Sequence, residues 1–189
     1  MIYLASASPR RQELLHQIAV AFMTLAPDID ETPRPGERPW RYVRRMAHEK
    51  ACAGQRERDR RGLVAAPVLG ADTIVVHEGV IVHKPADIPA ARAALSRLSG
   101  ARHTVYTALC LIGRGHNETH SRSDVTFKAL SASEIDAYCA TGEPIGKAGG
   151  YAIQGRAALF VARLVGSYSG VVGLPLYECG QLLAAEGLL

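Results

Sequence analysis

The stretch Pro67 to Val76 constrains this chain most: it is apolar and partly β-branched, as a buried strand is, yet one carboxylate, Asp72, follows directly on Val68-Leu69-Gly70-Ala71. Burying a lone carboxylate costs several kcal/mol unless it is paired or binds a cation. Any fold for this chain must give Asp72 a partner, and a functional role for it is favoured.

Around that strand the pattern alternates. Met1 to Ala5 reads as a short buried strand, and a helix follows from Pro9, with Ser8 as N-cap and proline at the first helical position, where its missing N–H costs nothing. An apolar stretch from Val20 to Leu25 leads into the loop Ala26 to Pro39, whose four prolines and four acidic residues predict a surface position. From Trp40, the residues Val43, Met46, Ala47 and Ala51 recur at helical spacing until the charge run Arg56 to Arg61, read as a solvated helix end. His77-Glu78-Gly79 is a turn before the strand Val80 to Val82, and Ile88, Ala91, Leu95 and Leu98 mark a helix stopped by Gly100. Thr104 to Ile112 and Thr119 to Phe127 read as a long hairpin. Ser131 and Glu134 form a capping box for a helix ending near Gly142. Beyond the glycine-rich loop at Gly146, Gly149 and Gly150, the pattern predicts a strand over Leu159 to Val165 and a closing helix over Pro175 to Glu186. Hairpins among alternating helices and strands predict an α/β fold with a mixed β-sheet and flanking helices.

Composition narrows the function classes. A chain of 189 residues, nearly half of them apolar, is expected to form one domain over residues 1–189, and a net charge of +4 fits a polyanionic ligand but is too small to argue for nucleic acid or a membrane. The aromatic content of 6%, with no aromatic RNA-binding motif, argues against RNA. The N-terminus lacks an apolar signal region, and no run of ~18 apolar residues occurs, so a cytoplasmic protein is expected. The four cysteines are scattered and read as reduced core thiols, and the seven histidines show no HExxH or zinc-finger spacing.

What remains is a set of carboxylates and cations. Ser6-Ala7-Ser8-Pro9-Arg10-Arg11 puts hydroxyls and guanidinium groups where a strand turns into a helix, a place that favours an anion. Taken alone, the segment reads more readily as a capped helix with solvent-facing arginines. Glu31, in the acidic loop, is a second oxygen ligand suited to magnesium or manganese, or part of a solvated turn. Only four lysines stand against eighteen arginines, and Lys50, Lys84 and Lys147 are candidate phosphate counter-charges or surface solubilisers. With no GxSxG elbow, Walker loop or histidine cluster, no protein nucleophile is evident, and the set suits metal-assisted attack of water on a phosphoanhydride.

The chain resembles the Maf family of nucleotide pyrophosphatases. The resemblance rests on Leu4-Ala5-Ser6-Ala7-Ser8-Pro9-Arg10-Arg11, Asp30-Glu31-Thr32-Pro33, Gly70-Ala71-Asp72-Thr73-Ile74-Val75, Lys84-Pro85, Leu98-Ser99-Gly100 with His103 and Thr107, Gly142-Glu143-Pro144 with Lys147-Ala148-Gly149, Ile153-Gln154-Gly155, and Gly166-Ser167-Tyr168 with Val172-Gly173-Leu174-Pro175-Leu176, all in family order. It implies two lobes around a central cleft, similar to the inosine triphosphate pyrophosphatases, a homodimer, and a divalent cation, Mg2+ or Mn2+. It implies hydrolysis of a nucleoside triphosphate between the α and β phosphates. Asp72 matches the family's catalytic carboxylate, and with Glu31 the metal ligands. Ser8, Arg11, Lys50, Lys84 and Lys147 match residues that bind substrate. Arg10, Thr73 and Gln154 match the branch that takes dTTP and UTP rather than methylated GTP. Two positions depart from the family: His83 where glycine is common before Lys84, and Gly146 where many members carry aspartate. The rival reading is a non-catalytic nucleotide or nucleic-acid binder in cell-division control, against which the retained Asp72, Glu31 and Lys84 argue.

Overall fold

Tyr3, Leu4 and Ala5 are almost wholly buried, and the sheet is built outward from this first strand. The computed structural model describes residues 1–189. Its strands are β1 (Ile2–Ala5), β2 (Phe22–Thr24), β3 (Val68–His77), β4 (Val80–Val82), β5 (Arg102–Ile112), β6 (His116–Phe127) and β7 (Val161–Val165). Its helices are α1 (Pro9–Gln17), α2 (Pro39–Arg60), α3 (Ile88–Leu98), α4 (Ala132–Cys139), α5 (Tyr168–Val172) and α6 (Leu176–Ala185). The seven strands form one sheet in the order β2-β1-β3-β5-β6-β7, with β4 paired to β3 off that path. β1 runs parallel to β2 and β3, whereas β4 on β3 and β7 on β6 are antiparallel. This is the mixed α/β sheet with helices that the sequence pattern predicts.

The chain divides into two compact units, one of residues 1–72, 107–121 and 173–189, the other of residues 73–106 and 122–172. In the first, Tyr3, Ala5, Leu25 and Val68 pack together under Leu63 and Ala66, and α2 buries Tyr42, Val43, Met46, Ala47 and Ala51. α2 lies against bare backbone: a Cβ on Gly70 would stand 2.2 Å from the Ala47 carbonyl oxygen, and one on Gly54 2.7 Å from the Ala5 Cβ. Helix and strand approach this closely only because both positions are glycine. The helix runs through the charge run, where Glu57 pairs with Arg60 at 2.7 Å and Arg61 at 2.6 Å, consistent with a solvated helix end.

In the second unit, His103, Phe127, Tyr151, Phe160 and Tyr138 pack edge to face, with neighbouring ring centroids 4.9 to 6.0 Å apart. Ser131 and Glu134 make the expected capping box at the start of α4. Leu159 departs from expectation. It lies in a 3-10 turn, Arg156–Phe160, and the strand begins only at Val161, because Phe160 turns into the aromatic cluster and its carbonyl accepts the Lys128 N–H at 2.9 Å. All four cysteines are free thiols, with Cys110, Cys139 and Cys179 buried. No helix is long and apolar enough to cross a membrane.

Candidate active site

Asp72 lies on β3 in the first unit, only 4% exposed, and its partner is a lysine. Lys50 Nζ donates to Asp72 Oδ1 at 2.6 Å and pairs with Glu31 Oε1, also at 2.6 Å. Three residues far apart in sequence thus meet for a local reason. Lys50 stands on α2 between Ala47 and Ala51, the residues that touch Gly70, and Gly70 precedes Asp72 by two positions along β3. Glu31 arrives on the acidic loop, whose end is held by Tyr42, its hydroxyl donating to the Glu31 carbonyl at 2.8 Å. Burial, with the charges of Asp72 and Glu31 behind it, pushes the Tyr42 phenol up to about 12, so it stays a donor.

Arg11 is buried rather than solvent-facing. Its Nε donates to the Gly173 carbonyl at 2.8 Å and its Nη1 to Ser6 Oγ at 2.9 Å, and Ser6 Oγ also accepts the Ser8 N–H at 3.2 Å. Burial lowers the Arg11 pKa, while the charge of Asp72 acts in the opposite sense. Ser8 sits at the N-cap of α1 as expected, but its side chain makes no capping bond; Ser6 has taken the ordering role. Arg10 is partly exposed on the first turn of the same helix. Tyr42 and Gly173 are the partners that residue-type reasoning passed over; Ser6 was among the hydroxyls noted in its segment, though not as a partner of Arg11. Ser6 and Gly173 lie inside the family motifs; Tyr42 carried no signal beyond its place on the helix.

Thr73, Lys84, Lys147 and Gln154 belong to the second unit. Lys84 is exposed just after β4, and the Gly146 N–H donates to the Pro85 carbonyl at 2.9 Å, so the loop bearing Lys147 is tied to the residue next to Lys84. Gly146 has φ +68°, a left-handed conformation that glycine takes freely, so glycine suits the backbone at this position. Gln154 is exposed, and the loop just after it is held by Glu143. That carboxylate accepts the Arg156 N–H at 3.2 Å and the Tyr138 hydroxyl at 2.8 Å, and lies where a Cβ on Gly155 would be, 2.4 Å away.

The family described as "Maf-like protein" matches residues 1–186. The chain belongs to the Maf family. Among Maf relatives, a protein of Nitrosospira multiformis named dTTP/UTP pyrophosphatase is 52% identical, covering 99% of this chain and 95% of its own length. One of the same name from Xanthomonas campestris pv. campestris is 50% identical over 99% of each chain. A solved structure, the nucleoside-triphosphatase or dITP/XTP pyrophosphatase of Mycobacterium abscessus, matches this Maf chain with a TM-score of 0.44 at 17% identity, covering 69% of this chain and 76% of that one.

Proposed function

We propose that this protein is a nucleoside triphosphate pyrophosphatase that hydrolyses dTTP and UTP to the nucleoside monophosphate and diphosphate, with residues 1–189 as one catalytic domain. The observation that carries the reading is identity of about half, over nearly the full length, with proteins bearing that name. The site supplies matching chemistry. Asp72 is a buried carboxylate paired with Lys50, and in the reaction it orients the water that attacks the α-phosphorus and accepts its proton. The bond to the bridging oxygen then breaks, and the diphosphate leaves.

Hard oxygen donors from Asp72 and Glu31 converge on one point, marked by the Lys50 ammonium, and this donor set fits Mg2+ or Mn2+. Such a cation supplies charge neutralisation for the phosphate oxygens when bound. Arg11, pre-oriented by Ser6 and Gly173, together with Ser8, Lys50, Lys84 and Lys147, binds the triphosphate, whichever base it carries. Arg10, Thr73 and Gln154 read the base, the Gln154 amide both donating to and accepting from a uracil-type edge. A homodimer and a cytoplasmic location rest on the family resemblance and on the sequence; sedimentation measures the former.

The test is diphosphate release from a panel of triphosphates with magnesium, before and after chelation. Activity is expected on dTTP and UTP, abolished by chelator, and reduced by about 10²-fold or more in Asp72→Asn, the usual worth of a general base. Turnover of Asp72→Asn within tenfold of wild type removes Asp72 from this role, and no turnover of any triphosphate overturns the reading.

A further inference from the structure

A second cluster of chemistry-bearing side chains lies elsewhere in the first unit. His48 on α2, Cys110 on β5, and His116 and Glu118 at the start of β6 each offer one ligand atom, and the four atoms lie within 4.8 Å of one another. His116 Nε2 is 3.0 Å from His48 Nδ1, 3.2 Å from Cys110 Sγ and 3.2 Å from Glu118 Oε1. His48 Nδ1 is in turn 3.1 Å from Glu118 Oε1. A ring nitrogen has either one proton or one lone pair, so it can serve only one of three such neighbours. Glu118 Oε1 can accept from both rings, but the His48–His116 and His116–Cys110 approaches cannot be satisfied at the same time, whereas a shared central cation would satisfy all four ligand atoms.

We propose that His48, Cys110, His116 and Glu118 form a structural zinc site, distinct from the Asp72 site. Two imidazoles, a thiolate and a carboxylate make a four-coordinate N2SO set typical of Zn2+ and foreign to Mg2+. Zinc bonds of ~2.0–2.3 Å in a tetrahedron put adjacent ligand atoms roughly 3.3–3.6 Å apart, so the four short separations would open by a few tenths of an ångström and the wider ones, which reach up to 4.8 Å, would close by roughly an ångström, movements within reach of side-chain rotation. Thiolate and carboxylate together neutralise the ion. The outer partners are in place as well. With Nδ1 inward, His48 points Nε2 at Cys52 Sγ, 3.3 Å away, and Glu118 turns its other oxygen to Arg44 at 3.1 Å. Four protein ligands leave no open position, so the ion clasps the middle of α2 to the β5–β6 turn rather than performing chemistry.

Stripped protein titrated with Co2+, as a spectroscopic stand-in for zinc, tests this. The expected result is the intense visible spectrum of tetrahedral cobalt and a thiolate-to-cobalt charge-transfer band, saturating at one equivalent per chain and bleached by Zn2+. Zn2+ should also raise Tm, as any ligand selective for the folded state does. His116→Ala, at an exposed position that the fold tolerates, should weaken zinc binding by about 100-fold or more, since losing a ligand costs at least as much as losing an outer partner. Cys110→Ser should lose the charge-transfer band, and Asp72→Asn should keep it. No thiolate band at stoichiometric cobalt overturns the site. So does a spectrum that survives His116→Ala, or one that disappears with Asp72→Asn. None of these readings depends on pyrophosphatase activity.

Discussion

Lys50 faces two carboxylates with one ammonium, and its side chain and that of Asp72 are nearly buried, 11% and 5% exposed. Removing one member of a buried pair leaves the other charge without compensation, a change that costs about 3–5 kcal/mol. Lys50→Met should therefore lower the urea midpoint strongly, and Lys50→Met combined with Asp72→Asn should recover part of the loss; equal losses in the single and double variants would show that the pair is not coupled. Gln154 poses a different residue-scale question. Its side chain is exposed, and Glu143 holds the loop through the Arg156 N–H two positions on, so a change at Gln154 tests the proposed base-reading role with little effect on the loop. Gln154→Glu removes a donor and should cut kcat/KM for dTTP and UTP by about 10²-fold or more while sparing stability, because a site that pairs a polar edge discriminates by orders of magnitude. An unchanged preference across the nucleotide panel would place selection elsewhere. Asp72 was recognisable from sequence as a carboxylate needing a partner, and Lys50 as one of few lysines, but that the two pair was not: 22 positions separate them.

At the scale of elements, α2 on β3 builds the Asp72 site. The contact runs through Gly70, where an added Cβ meets the helix backbone at 2.2 and 2.5 Å, and neither Ala47 nor Ala51 has a flexible side chain that can give way. Gly70→Ala should push the helix off the strand, costing about 1–3 kcal/mol or more as overpacking does, and drawing Lys50 away from Asp72. Thermal melts and turnover should fall together; a stable Gly70→Ala protein with full activity would contradict this account. Most of the elements themselves were legible. Periodicity placed α2, α3 and the β5–β6 pair, and the capping box at Ser131 was readable residue by residue. The 3-10 turn at Arg156–Phe160 was not, because an apolar run cannot say which of its members turns toward a distant ring.

At the scale of the molecule, the aromatic cluster of the second unit holds a titratable group. His103 Nε2 lies 2.8 Å from the Tyr151 hydroxyl, and burial pushes the His103 pKa down to about 4, so it is neutral in the fold. A group whose folded pKa is depressed stabilises fully above its unfolded pKa, here near 6.5, and that stability drains away as pH falls toward 4. In this window the unfolded chain binds the extra proton, so stability should drop by about 1.4 kcal/mol per pH unit from this residue. Urea unfolding of wild type and His103→Phe between those limits should show the difference between them shrinking as pH falls; a constant difference would mean that His103 does not titrate on unfolding.

Taken by itself, the sequence determined the family and the mixed α/β class, and it singled out Asp72 as a carboxylate in need of a partner, because strand and helix periods, caps and short motifs are local properties carried by neighbouring residues. Only the tertiary structure decided which residues meet. It put Lys50 between Asp72 and Glu31, buried Arg11 against Ser6 and Gly173, and gathered His48, Cys110, His116 and Glu118, whose spacing along the chain matches no HExxH or zinc-finger pattern. The physical reason is the same in each case. Ion pairs and ligand sets depend on distances in space across 22, 162 or 68 positions of chain, and no periodicity along the sequence encodes a distance of that kind.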